Sequence, residues 1–212
     1  MSILDTSIAA ASAAFTGVAA YGAWKASREA NRAAWNANET ATTVAQIEQE
    51  RWHRELTPQL RIKLQADPHE VLYVRFEGPS KLGELHIELR IQDDFDGSRP
   101  PHLIGTLTPE QAAEAAEVIW GPYRFRPGVD DADALGRAVP AFPLLPGGRT
   151  RLAVDFSPRP SWYEGADGEQ RWRDRYSTSP IRLLAICTVS GHKPWTLAFA
   201  VPQDGGWALG GA

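Results

Sequence analysis

No proline occurs before position 58, and sixteen occur from there on. Of the eighteen glycines only Gly17 and Gly22 precede that point. Alanine has the highest helix propensity and proline the lowest, so an alanine-rich, proline-free stretch of this length can hardly be anything but helix. The expected helix runs from about Asp5 to Leu56, roughly 75–80 Å at 1.5 Å per residue. Asp5, Thr6 or Ser7 is placed to cap its start, and Pro58 ends it because the residue before proline avoids the α region. The chain therefore divides into an N-terminal helix over residues 1–57 and a second domain over 58–212.

Nineteen residues from Thr6 to Trp24 carry no charge, just enough for a helix to cross a bilayer. Most are Ala, Ser, Thr and Gly, so the drive into lipid is weak. The flanks favour insertion: Tyr21 and Trp24 suit a membrane interface, and Lys25, Arg28 and Arg32 follow as the positive-inside rule requires. A cleaved signal peptide is not expected, since no basic segment precedes the run. Ala10, Ala13, Ala14, Gly17 and Ala20 recur at three- and four-residue spacing and flatten one face for close helix packing. Three expectations follow. The helix anchors the chain to a membrane, packs against copies of itself in a soluble assembly, or packs against its own domain.

Residues 25–56 are charged but balanced, with Lys25, Arg28, Arg32, Arg51 and Arg54 against Glu29, Glu39, Glu48, Glu50 and Glu55. Ala30, Ala34, Ala37, Ala41, Val44 and Ala45 form a narrow small-residue stripe, interrupted by Glu48 and Arg51. This reads as a stalk that pairs with neighbouring copies, its contacts shallow because alanine knobs bury little area.

After Pro58 the hydrophobic period changes from helical to alternating. Leu60, Ile62 and Leu64 alternate with Arg61 and Lys63, and Leu85, Ile87, Leu89 and Ile91 with His86, Glu88 and Arg90; both read as half-buried strands. Further strands are expected at Val71–Phe76, Arg149–Phe156, Ile181–Ser190 and Trp195–Val201, with an irregular one over Val118–Phe125. Thr108-Pro109-Glu110-Gln111 starts a short helix through Glu117, and residues 92–106 and 127–148 read as loops. The fold class is α+β: a long N-terminal helix, then a mainly antiparallel β-sandwich with one short helix.

Composition and motifs exclude more than they suggest. A net charge of −4, from 22 basic and 26 acidic residues, argues against a protein that coats nucleic acid. The one cysteine, Cys187, excludes an internal disulfide and any multi-cysteine metal site, and its place mid-strand marks it as a core residue rather than a nucleophile. Five scattered histidines form no ligand pair. The acidic loops Asp93-Asp94-Asp96 and Asp130-Asp131-Asp133 lack the EF-hand pattern. No nucleophile elbow, phosphate loop or zinc-protease motif occurs. No catalytic, cofactor-binding or metal-ligating residue, no cofactor and no small-molecule substrate is assigned, and an enzyme with a loop-built site is the least favoured class.

One segment has the residue mix of a binding hot spot. Trp162, Tyr163, Arg171, Trp172, Arg173, Arg175 and Tyr176 combine aromatics with arginines. Glu164, Asp167, Glu169 and Asp174 offset their charge, so a protein partner is expected rather than nucleic acid. The alternative is that the aromatics fold back over the sheets and the arginines pair locally.

Eighteen arginines against four lysines, beside abundant Ala, Gly and Pro, indicate a GC-rich, bacterial coding sequence. With Glu55-Leu56-Thr57-Pro58 leading into strands and Trp120-Gly121-Pro122-Tyr123-Arg124-Phe125 further on, the layout resembles a set of uncharacterised proteins of GC-rich bacteria. The resemblance implies an apolar N-terminal helix followed by a sandwich-like domain, and no activity. The expected role is a non-enzymatic, membrane-anchored interaction module on the cytoplasmic face of the bacterial inner membrane. The alternative is a structural subunit of a soluble cytoplasmic homo-oligomer.

Overall fold

The computed structural model describes residues 3–66, 69–94 and 108–210, with the side chains of residues 3–23 and 111–112 outside that description. The chain forms two compact units, Met1–Glu55 and Leu56–Ala212.

The first unit is one helix, α1 (Ile3–Glu55), which runs through Gly17 and Gly22 without interruption. The hydroxyls of Thr40, Thr42 and Thr43 donate to the carbonyls of Asn36, Asn38 and Glu39 at 2.8, 2.9 and 3.0 Å, which keeps these β-branched residues compatible with the helix. Pairs one turn apart, Lys25–Glu29 at 4.0 Å and Arg51–Glu55 at 2.9 Å, add only a few tenths of a kcal/mol each. From Trp24 to Glu55 every side chain but His53 is exposed, Trp35 by 75%. The expected packing contacts at Ala10, Ala13, Ala14, Gly17, Ala20 and Tyr21 fall on side chains outside the described residues. Among the described residues no helix is long and apolar enough to cross a membrane. The expected span, Thr6–Trp24, rests but for Trp24 on side chains outside the described residues.

Among the described residues the second unit holds nine strands. β1 (Gln59–Gln65), β2 (Val71–Gly78) and β3 (Leu85–Ile91) come first, with a 3-10 turn at Ser80–Leu82. After α2 (Pro109–Glu117) follow β4 (Tyr123–Phe125), β5 (Ala138–Leu144) and β6 (Arg149–Phe156). Helix α3 (Gly168–Tyr176) then precedes β7 (Ile181–Thr188), β8 (Trp195–Val201) and β9 (Ala208–Leu209). The strands form a five-stranded sheet in the order β4-β6-β2-β1-β9 and a four-stranded sheet in the order β5-β3-β7-β8. Every pairing is antiparallel.

Strict alternation builds the core. Leu60, Ile62 and Leu64, Leu72, Val74 and Phe76, and Leu152 and Val154 turn inward from the first sheet. Leu85, Ile87 and Leu89, Leu183, Ala185 and Cys187, and Leu197, Phe199 and Val201 do so from the second. All belong to one buried cluster. At about 1.5–3 kcal/mol per large apolar side chain, such a cluster holds a domain without a staple.

Three departures from expectation have physical reasons. β5 lies inside the presumed loop 127–148. Its Pro140 and Pro143 disqualify a central strand, but β5 is an edge strand, where a missing N–H need cost no ladder bond. The irregular strand at 118–125 shrinks to Tyr123–Phe125. Among the described residues there are two short α-helices after the long one rather than one, because the aromatic–arginine segment, read as a loop, forms α3. Its buried residues Gly168, Trp172 and Tyr176 are spaced by four, the helical interval.

Candidate functional site

Trp172 sits at the centre of a second buried cluster, with Trp120 and Tyr176, against which Val118, Phe156, Trp162 and Tyr163 pack. Its ring meets Tyr163 and Tyr176 edge-on, with centroids 5.0 and 4.9 Å apart, and Trp120 at 5.9 Å. Trp162 stacks on Trp120 at 6.2 Å. Edge-to-face and offset pairs at these separations add about 0.5–1.5 kcal/mol each beyond their burial. The Trp172 indole N–H donates to the Ser157 carbonyl at 2.9 Å, so the one polar atom of this interior ring is satisfied.

The arginines ring this platform. Arg175 donates to the Tyr163 hydroxyl at 3.0 Å, and Arg171 to the Glu164 carbonyl at 2.6 Å. Arg171 pairs with Asp167 at 3.3 Å and Arg173 with Glu169 at 3.1 Å, each one helical turn apart. Arg173 also lies 5.4 Å from the Phe156 ring centre. Trp162, Tyr163, Arg171 and Arg175 line an open pocket of about 440 Å³.

The expected partner surface therefore separates into two groups. Trp172 and Tyr176 are interior, 0% and 3% exposed, and cannot touch a partner; the correction follows from their four-residue spacing, which turns both inward. Trp162, Tyr163 and Arg175 are half-buried, and Arg171 and Arg173 exposed, so these five remain at the surface. Of the N-terminal group, Trp24, Lys25 and Arg28 are exposed, and the Arg28 guanidinium lies 4.3 Å from the Trp24 ring centre.

The acidic loops have structural partners. Asp93 accepts from the Trp120 backbone N–H at 2.8 Å and pairs with Arg137 at 3.2 Å, while Arg137 also donates to the Val118 carbonyl at 2.6 Å. Asp94 pairs with Arg182 at 2.8 Å. Burial nevertheless raises the Asp94 carboxyl above its ordinary range, outweighing the arginine. Asp130 accepts from the Ala153 N–H at 2.7 Å, and Asp133 from the Leu135 and Arg137 N–H groups. These carboxylates tie loops to strands. Asp96 lies outside the described residues, as does His102.

Cys187 is fully buried, and burial pushes its thiol up to about 12. Burial likewise takes the Tyr176 hydroxyl up to about 12. Both groups ionise more readily in the unfolded chain, near 8.5 and 10. Their neutral forms thus stabilise the fold fully below about pH 8.5, and that contribution is lost as pH rises toward 12. Urea midpoints measured from pH 8 to 11 are expected to fall above about pH 9, and less steeply in Cys187→Ala. A flat profile would contradict the burial of both groups.

A set of outward-facing cations on the five-stranded sheet, Arg61 and Lys63 half-buried and the rest exposed, escaped the sequence reading. Arg61, Lys63, Arg75, Arg149 and Arg151 occupy the outward positions of β1, β2 and β6, between inward Leu60, Ile62, Leu64, Val74 and Leu152. The signal was present in the alternation, but only the strand register brings these residues side by side.

The chain matches no protein-family model, no curated protein and no solved structure.

Proposed function

We propose that the chain is a non-enzymatic assembly and interaction module. Its N-terminal helix pairs with copies of itself, and its β unit, the two sheets packed face to face as a sandwich, offers the Trp162–Arg175 platform to a protein partner. The sandwich is supported by the single buried cluster drawn from both sheets. The observation that carries the assembly reading is the exposure of Trp24, Trp35, Val44, Ile47 and Trp52, each more than half accessible on one 53-residue helix. Long helices owe most of their stability to packing of an apolar face rather than to propensity, so large side chains left in water call for a partner surface. A second copy supplies the same small-residue stripe at Ala30, Ala34, Ala37 and Ala41.

Sedimentation of the full chain across a concentration range tests this. A species larger than the 23.3 kDa monomer is expected. Ala37→Glu with Ala41→Glu, both at exposed positions, should return it to monomer without changing the unfolding midpoint of the β unit. A monomer at every concentration would overturn self-assembly.

A second reading rests on the exposed Trp24, Lys25 and Arg28, an aromatic beside two cations, which suits peripheral attachment to an anionic membrane surface. Flotation with anionic vesicles separates the two: a monomer that floats favours attachment, and an oligomer that stays in solution favours assembly.

A further inference from the structure

Cross-strand register concentrates positive charge on the outward face of the five-stranded sheet. Arg61 lies opposite Arg75, and Arg75 opposite Arg149; Lys63 lies opposite Tyr73, and Tyr73 opposite Arg151. Like charges directly opposite one another destabilise a sheet, so three arginines in one row are not explained by folding. Glu77 answers part of the row, 2.7 Å from Arg61 and 4.0 Å from Arg75. Among the described residues no carboxylate comes within ion-pair distance of Lys63, Arg149 or Arg151.

The same face carries a pocket of about 440 Å³ lined by Lys63, Tyr73, Arg75, Arg149 and Trp207 among others. The Lys63 ammonium lies 5.0 Å from the Trp207 ring centre and 5.6 Å from that of Tyr73. Two aromatic faces thus hold the flexible lysine in place by cation–π attraction. Trp207 itself is 42% exposed.

We propose that this pocket binds a free, nucleotide-like phosphate ester. Lys63 and Arg149 line the pocket without a carboxylate partner, and Arg75 beside them shares Glu77 with Arg61. A single negative charge would leave one of the two unpaired cations unanswered, whereas a phosphate monoester brings nearly two charges and three acceptor oxygens, which guanidinium groups bind in pairs. The exposed indole beside the cations offers a flat surface for a ring, and base–aromatic stacking contributes about 1–3 kcal/mol. The pocket volume falls within the range of small-ligand sites. A nucleic-acid strand fits less well, since it needs a basic groove that continues along its backbone; beyond the pocket the described residues of this face add Arg151, the Glu77-paired Arg61 and, across β6, Arg124, which lies opposite Asp155. The overall charge of −4 does not oppose a local cluster of this kind. The pocket lies wholly within the β unit, so the proposal stands apart from assembly through the helix.

Calorimetric titration of the full chain with AMP, adenosine, inorganic phosphate and a ten-nucleotide oligo-dT tests it. AMP is expected to bind at one site per chain, at least roughly tenfold tighter than adenosine or phosphate alone, ~1.4 kcal/mol. Arg149→Ala and Trp207→Ala should each weaken AMP by about tenfold or more, while Lys81→Ala, an exposed lysine on the 3-10 turn, should leave it unchanged. Absence of AMP binding at millimolar concentration would overturn the proposal. Equal binding of phosphate and AMP would remove the ring from it, and binding of oligo-dT much tighter than AMP would replace the free ligand with a strand. Circular dichroism of Arg149→Ala and Trp207→Ala confirms that lost binding is not lost folding.

Discussion

Replacing Trp172 with alanine should destabilise the β unit by about 3–5 kcal/mol. The ring is 0% exposed, and its removal opens a cavity bounded by Trp120, Tyr163 and Tyr176, whose rings lie within 6 Å of it. These neighbours are large and rigid, and collapse poorly into the space. The Ser157 carbonyl also loses its donor at 2.9 Å, and a buried unpaired acceptor costs about 1–3 kcal/mol. Trp172→Phe separates the two effects: it keeps most of the apolar volume and loses only the N–H. For a domain of this size each kcal/mol moves the melting temperature by about 2–4 °C, so the alanine variant should melt on the order of 10 °C lower. Trp35→Ala, at a position 75% exposed, should leave the β unit's melting unchanged. If Trp172→Ala cost no more than Trp35→Ala, the aromatic platform would not be part of the fold's stability at all.

That platform also shows where sequence reading succeeds and where it stops. The inward residues of β1, β3, β7 and β8 were legible, since a period of two with leucine and isoleucine inward leaves no competing assignment. The long helix was legible from the absence of proline. α3 was not, because its nine residues GEQRWRDRY hold only two large aromatics among charges and look like a polar loop. What makes it a helix is tertiary: Trp172 and Tyr176 find an apolar surface on Trp120 and Phe156, and the i,i+4 pairs Glu169–Arg173 and Gln170–Asp174 support the outer face. Edge strand β5 was hidden by its prolines for a related reason, since only sheet order shows that its outer side needs no donors. The basic face on β1, β2 and β6 depends on register, because Arg61, Arg75 and Arg149 are far apart in the chain and adjacent only across strands. Periodicity records which side of a strand a residue faces; it does not record its neighbour.

Gly136→Ala should be as damaging as the loss of a large core side chain. Gly136 adopts φ +77, a left-handed backbone that costs an L-residue about 1–2 kcal/mol. A methyl group there would also lie 2.2 Å from the Phe125 carbonyl oxygen and 3.2 Å from Arg124 Cδ. Rotamer choice cannot relieve a clash of Cβ with backbone. Relief requires moving Phe125, which is fully buried in β4 and whose N–H donates to the Gly136 carbonyl at 2.9 Å. Gly128 provides the comparison, with φ +72 and no atom within 4 Å of its would-be Cβ. Gly128→Ala should therefore cost only the backbone term, about 1–2 kcal/mol, and Gly136→Ala at least ~2 kcal/mol more, in the range reserved for strain and disrupted packing. Urea unfolding of the two variants side by side measures that difference directly. Equal midpoints would mean that the chain around β4 yields freely, and that Arg137, next in sequence and bonded to Asp93 and the Val118 carbonyl, does not hold this loop in place. A wide gap would place the close approach of the 136–137 turn to β4 among the contacts on which the five-stranded sheet depends.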